Sequence, residues 1–130
     1  MKIFVLDDEK KSIAQMKACI KEYAEKMGVV MEAHGFTDVD EFLLEYEQSE
    51  EKPYLVIIRV EMEQMSGIEV ARLLREKGSS VRLIFMDISD KYAMDAFDVH
   101  ADGYLTKPVT YQDFANTMKR FRARFAVESH

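Results

Sequence analysis

YLVIIRV, residues 54–60, governs how the rest of the chain is read. It is apolar at consecutive positions rather than alternate ones, the pattern of a strand buried on both faces of a sheet, and only Arg59 interrupts it. Such a strand needs partners on both edges and helices above and below. It therefore belongs at the centre of a parallel sheet.

The flanking sequence supplies those partners. KIFVLDD (2–8) is a second short apolar run, closed by two acids. Ile13, Met16, Ile20, Tyr23 and Met27 follow at spacings of three and four, one face of a helix that Gly28 stops. VVMEAHGF (29–36) reads as a strand, and Thr37 with Asp40 resembles a capping box for a helix striped by Val39, Phe42, Leu43 and Tyr46. Beyond YLVIIRV, IEVARLLREKG predicts a helix ending at Gly78 and VRLIFM (81–86) a strand. Tyr92, Ala93, Ala96 and Phe97 mark a short helix, GYLT (103–106) a brief strand, and Phe114, Met118, Phe121 and Phe125 a closing helix. Five strand–helix pairs in alternation predict a three-layer α/β domain with a parallel sheet.

Composition narrows the function classes. At 130 residues with 48% hydrophobic content, the chain has material for one core and no room for a second domain. A net charge of −6 disfavours a surface built wholly for phosphate backbone. Cys19 is the only cysteine, so there is no internal disulfide, and His34, His100 and His130 lack metal-ligand spacing. The nine methionines read as core filler. Neither a leader-like apolar segment nor a run near the ~20 residues of a membrane span is present, and the expected location is the cytoplasm.

Ligands of open α/β sheets bind beyond the carboxyl ends of the strands. Here those ends carry Asp7-Asp8, Arg59-Val60-Glu61, Met86-Asp87 and Thr106-Lys107-Pro108. Five ionisable side chains are thus predicted on one rim: Asp7, Asp8, Arg59, Asp87 and Lys107.

These residues carry a resemblance. Asp7-Asp8, EMxxMSGIEVARLLR from Glu61 and YAxxAFxxxAxxYLxKP from Tyr92 resemble the receiver domain of two-component response regulators, over roughly residues 2–124. The second segment is similar to receivers joined to LytTR-type DNA-binding domains. The resemblance implies a flavodoxin-like (βα)5 fold with strand order 2-1-3-4-5, a receiver over 1–124, and a tail or linker over 125–130. It implies phosphorelay signalling, with a LytTR-type effector following the receiver and the partner kinase undefined. Asp7 and Asp8 would form the acidic pocket, Lys107 and Pro108 the phosphate-sensing position with a cis bond between them, and Asp87 and Tyr104 the switch positions.

Two of these positions depart from the family. Receivers place a phosphoaccepting aspartate where this chain has Arg59, and Thr or Ser where it has Asp87. The loop often written Met-Pro-Gly-Met reads Met62-Glu63-Gln64-Met65. A guanidinium stays protonated and offers no carboxylate oxygen to phosphorus, so phosphorylation at residue 59 is not expected. Asp7, Asp8 and Asp87 against Arg59 and Lys107 leave −1 without metal, so Mg2+ binding is expected to be weak or lost, with Asp7, Asp8 and the Glu61 carbonyl a vestige of its site. Arg59 is expected to pair with Asp87 and the acidic pair, freezing the switch. The alternative is a phosphoryl acceptor displaced to Asp87 or Glu61. No enzymatic activity is expected. Protein partners, including a possible second copy, are expected on the face of the fourth helix, fifth strand and closing helix, with no direct nucleic-acid or membrane contact. Lys119, Arg120, Arg122 and Arg124 are read as cations favoured by a helix C-terminus.

Overall fold

In the computed structural model, residues 1–128 are described, with side chains to Arg122. The elements are β1 (Lys2–Leu6), α1 (Lys10–Met27), β2 (Glu32–Phe36), α2 (Val39–Gln48), β3 (Leu55–Arg59), α3 (Gly67–Glu76), β4 (Arg82–Asp87), α4 (Ala93–Asp98), β5 (Gly103–Thr106) and α5 (Tyr111–Glu128). The five strands form one sheet in the order β2-β1-β3-β4-β5, every pair parallel. This is the expected flavodoxin-like three-layer fold.

β3 lies at the centre because all it can do is bury. Leu55, Val56, Ile57 and Ile58 are inaccessible to solvent. Alternate residues feed two cores: Val56 and Ile58 meet Phe42 of α2 and Leu74 of α3, whereas Leu55 and Ile57 meet Ile20 of α1 and Phe114 of α5. The sheet thus separates an α1/α5 layer from an α2/α3/α4 layer. Burying each such side chain contributes about 1.5–3 kcal/mol, an upper estimate because unfolded chains are already partly compact.

Several element ends differ from expectation. Asp38, not Thr37, caps α2, its side chain accepting the Glu41 N–H at 2.9 Å. β2 begins at Glu32 rather than at residue 29, because α1 closes through Gly28 in the left-handed region and the Val29 N–H returns to the Ala24 carbonyl. Met27, expected on the buried stripe, is 45% exposed at that helix end. The last turn of α5 holds no basic residue, so Lys119, Arg120 and Arg122 lie mid-helix and dipole complementation does not explain them. Phe121 is core. Arg124, Phe125 and His130 lie outside the residues with described side chains, as does the boundary expected at 124.

Candidate functional site

Parallel strands end on the same edge, and four of them deliver the rim. β1 runs into Asp7, which is fully buried and tied on both oxygens. Its Oδ1 accepts the Glu9 N–H at 2.9 Å, and its Oδ2 accepts from Lys107 Nζ at 2.5 Å. Lys107 also donates to Ser12 Oγ at 2.9 Å, so the β5–α5 loop is bolted to the start of α1. The Lys107–Pro108 bond is cis.

Arg59 ends β3 and turns its guanidinium back over the acids. Nη1 lies 3.7 Å from Asp7 Oδ1 and 3.3 Å from Asp8 Oδ1, and it donates to Glu9 Oε1. The side chain is only 11% exposed. Burial works against its charge, but the hydrogen bond it donates to Glu9 and the fields of Asp7, Glu9 and Asp8 outweigh it and hold the guanidinium's pKa above its ordinary value. Nε is buried with no hydrogen-bond partner among the described residues. Asp7, Asp8 and Glu9 bring carboxylate oxygens within 4.8 Å of one another, a spacing that suits a cation, and Arg59 Nη1 lies among them.

The expected Arg59–Asp87 pair does not form. Asp87 is 1% exposed, and its Oδ1 instead accepts the Glu61 N–H at 3.0 Å, fastening the β3–α3 loop to the end of β4. A strand-end carboxylate beside a neighbouring loop's amide is satisfied locally, whereas Glu9 approaches Arg59 from the loop opposite. Glu9 was the residue the sequence hid. It follows Asp7-Asp8 directly, and only the β1–α1 turn shows that it points at Arg59.

The loop after β3 is held by further contacts. Gly67 opens α3 so close to β3 that an added Cβ would sit 2.2 Å from the Arg59 carbonyl oxygen. Gln64 Oε1 caps α2 by accepting the Val39 N–H at 2.8 Å, and Glu63 N–H reaches Asp8 Oδ2 at 3.3 Å. Over this loop the β4–α4 segment closes: Lys91 Nζ lies 3.1 Å from Glu61 Oε1, to which the Tyr92 hydroxyl also donates. Those contacts lower the Glu61 pKa, the Tyr92 hydrogen bond most. On the inner side, the Tyr104 hydroxyl donates to the Ser89 carbonyl at 2.6 Å. Desolvation, then the field of Asp87, pushes the Tyr104 pKa up to about 12.

Residues 3–119 match the response regulator receiver domain family. This chain belongs to that family. Among curated relatives, the receiver is similar to the sensory transduction protein LytT of Bacillus anthracis, 28% identical over 122 residues, 94% of this chain and 47% of LytT. It is also similar to the positive alginate biosynthesis regulatory protein of Pseudomonas aeruginosa, 38% identical over 69 residues, 53% of this chain and 28% of that protein. The chain thus spans about half the length of the LytT relatives it matches. A receiver domain protein from Clostridium thermocellum has the same fold, with a TM-score of 0.80 at 23% identity over 97% of both chains. The beryllofluoride-activated DrrB receiver domain aligns with a TM-score of 0.72 at 26% identity, covering 94% of this chain and 97% of that one. Within this receiver, Asp7, Asp8, Arg59 and Lys107 meet as one charged group, while Asp87 and Tyr104 stand beside it bound to backbone. No helix among the described residues is long and apolar enough to cross a membrane.

Proposed function

We propose that this receiver takes part in two-component signalling without accepting a phosphoryl group at residue 59. It acts by protein contact, as the N-terminal part of a LytTR-type transcription regulator. The observation that carries this reading is the position of Arg59 Nη1, within 3.7 Å of Asp7 and 3.3 Å of Asp8 and bonded to Glu9. A guanidinium has no oxygen to give phosphorus, and there it occupies the part of the pocket a metal would need.

Charge counting alone no longer argues against Mg2+. Glu9 joins Asp7, Asp8 and Asp87, making four carboxylates against Arg59 and Lys107, so a divalent ion would balance the set. Position argues against it instead. Mg2+ requires near-octahedral oxygen ligands at about 2.0–2.1 Å, and a cation held among the same three carboxylates repels it while taking their lone pairs. Mg2+ therefore binds weakly or not at all. A displaced acceptor is disfavoured by burial at Asp87, whose Oδ1 is occupied, and by the Lys91 and Tyr92 contacts at Glu61.

The LytTR assignment is supported by LytT relatives that align over 94% of this chain. A protein-contact role on the α4–β5–α5 face is supported by Met94 and Phe97 of α4, each of which exposes 75% of its surface. Incubation with acetyl phosphate and Mg2+, followed by intact mass spectrometry beside an aspartate-bearing receiver, tests the reading. The mass of this protein is expected to stay unchanged while the control gains a phosphoryl group. A phosphoryl adduct on this chain would overturn the reading.

A further inference from the structure

The two helical layers carry opposite charge. α1 holds five lysines, all exposed, against Glu22 and Glu25, and α5, over its residues with described side chains, adds Lys119, Arg120 and Arg122 against Asp113. Across the sheet, α2 carries Asp40, Glu41, Glu45 and Glu47 with no basic residue, α4 carries Asp95 and Asp98 with none, and α3 is balanced, Glu69 and Glu76 against Arg72 and Arg75. A chain of net charge −6 is therefore strongly basic on one side. Helix-end complementation accounts for Lys26 in the last turn of α1 but not for the other α1 lysines or the α5 bases, which lie away from the C-terminal turns.

The basic side also has a shape. Between α1 and α5 runs a groove of about 620 Å³, its floor made by Tyr23, Tyr111 and Ala115 and its edge by Met27, with Lys26, Lys119 and Arg122 around it. On the acidic side, Leu44 of α2 is 55% exposed, and Asp40, Glu41 and Glu47 surround it at helical spacings of three and four. An apolar knob ringed by acids on one layer thus matches an apolar-floored groove ringed by bases on the other.

We propose that the α1/α5 groove of one copy receives the α2 face of a second copy, a head-to-tail contact. Because the two surfaces differ, the contact is heterologous and leaves a free groove and a free α2 face at the ends, so it propagates rather than closing as a pair. Like net charges oppose the approach, but at about 0.1 M salt the Debye length is about 10 Å, the thickness of one helical layer. Facing layers then interact while the far layers are screened. The contact uses the side of α5 that lines the groove with α1, shares that helix with the α4–β5–α5 face, and is independent of the state of Arg59.

Sedimentation velocity of the 130-residue chain tests this. The weight-average sedimentation coefficient is expected to rise with concentration at about 0.1 M salt and to return to that of the monomer at about 1 M, where the Debye length is about 3 Å. Lys26→Glu/Lys119→Glu makes both faces acidic, and Glu41→Lys/Glu47→Lys makes both basic. Each variant alone is expected to stay monomeric, and their mixture to associate. A wild-type chain that is monomeric at every concentration overturns the proposal. So does association that persists in both variants, or a mixture that fails to associate although both variants keep wild-type circular dichroism. A wild-type chain that stays monomeric yet binds a DNA duplex in a salt-dependent way assigns the basic face to phosphate backbone and likewise overturns it.

Discussion

Arg59 is held by three carboxylates from a single turn, Asp7, Asp8 and Glu9, and this arrangement fixes what its removal does. Without the guanidinium, oxygens within 4.8 Å of one another keep only Lys107, bonded to Asp7, as a neighbouring cation. A cation about 4 Å away costs an incoming positive charge on the order of 4 kcal/mol at an effective dielectric of about 20. Arg59→Ala is therefore expected to bind Mn2+ at least about tenfold more tightly than the native protein, read by electron paramagnetic resonance of free Mn2+. Equal affinity would show that Arg59 does not control the pocket. Asp7, Asp8, Arg59, Asp87 and Lys107 were all legible in the sequence as strand-end residues, because parallel strands deliver their ends to one edge. Their pairing was not. Whether Arg59 meets Asp87 or Glu9 depends on how the β1–α1 turn aims its side chains, and the Glu61 amide beside Asp87 belongs to a loop without periodicity.

At the scale of elements, the β3–α3 junction sets the height of Arg59 in the pocket. Gly67 permits α3 to start against the backbone of β3, with the Gly67 N–H bonded to the Val60 carbonyl at 2.8 Å. A methyl group there meets a backbone oxygen that cannot rotate away, so Gly67→Ala is expected to destabilise the fold by about 1–3 kcal/mol, as overpacking does. Urea unfolding checks this, and an unchanged midpoint would mean that the junction yields freely. The elements themselves were readable because their signals are strong: consecutive apolar residues in β3, three-and-four spacing in α1. Their ends were less so. Asp38 displaced Thr37 as the α2 cap, and Gln64, a loop residue, supplies a second cap from 25 positions away. A cap set by tertiary contact leaves no local signature.

For the whole molecule, the parallel sheet followed from the alternation of strands and helices and its order from the family resemblance, while the opposite charge of the two layers became visible only when the helices were assigned to faces. The β4–α4 segment joins the site to the rest through Tyr104, whose raised pKa links it to global stability. Its folded pKa of about 12 exceeds the ordinary 10.0, so the folded state keeps the proton longer than the unfolded chain. The resulting stability is fully present below pH 10 and is lost as pH rises towards 12. The native protein is expected to lose more stability across that window than Tyr104→Phe in parallel urea titrations. Matching profiles would show that Tyr104 ionises as it does in the unfolded chain. A crystal structure of the unmodified protein soaked with Mg2+ and beryllofluoride decides whether Arg59 fills the pocket. Arg59 Nη1 is expected among Asp7, Asp8 and Glu9 with neither ion present, and an ion seated among those carboxylates would show that the guanidinium does not exclude it.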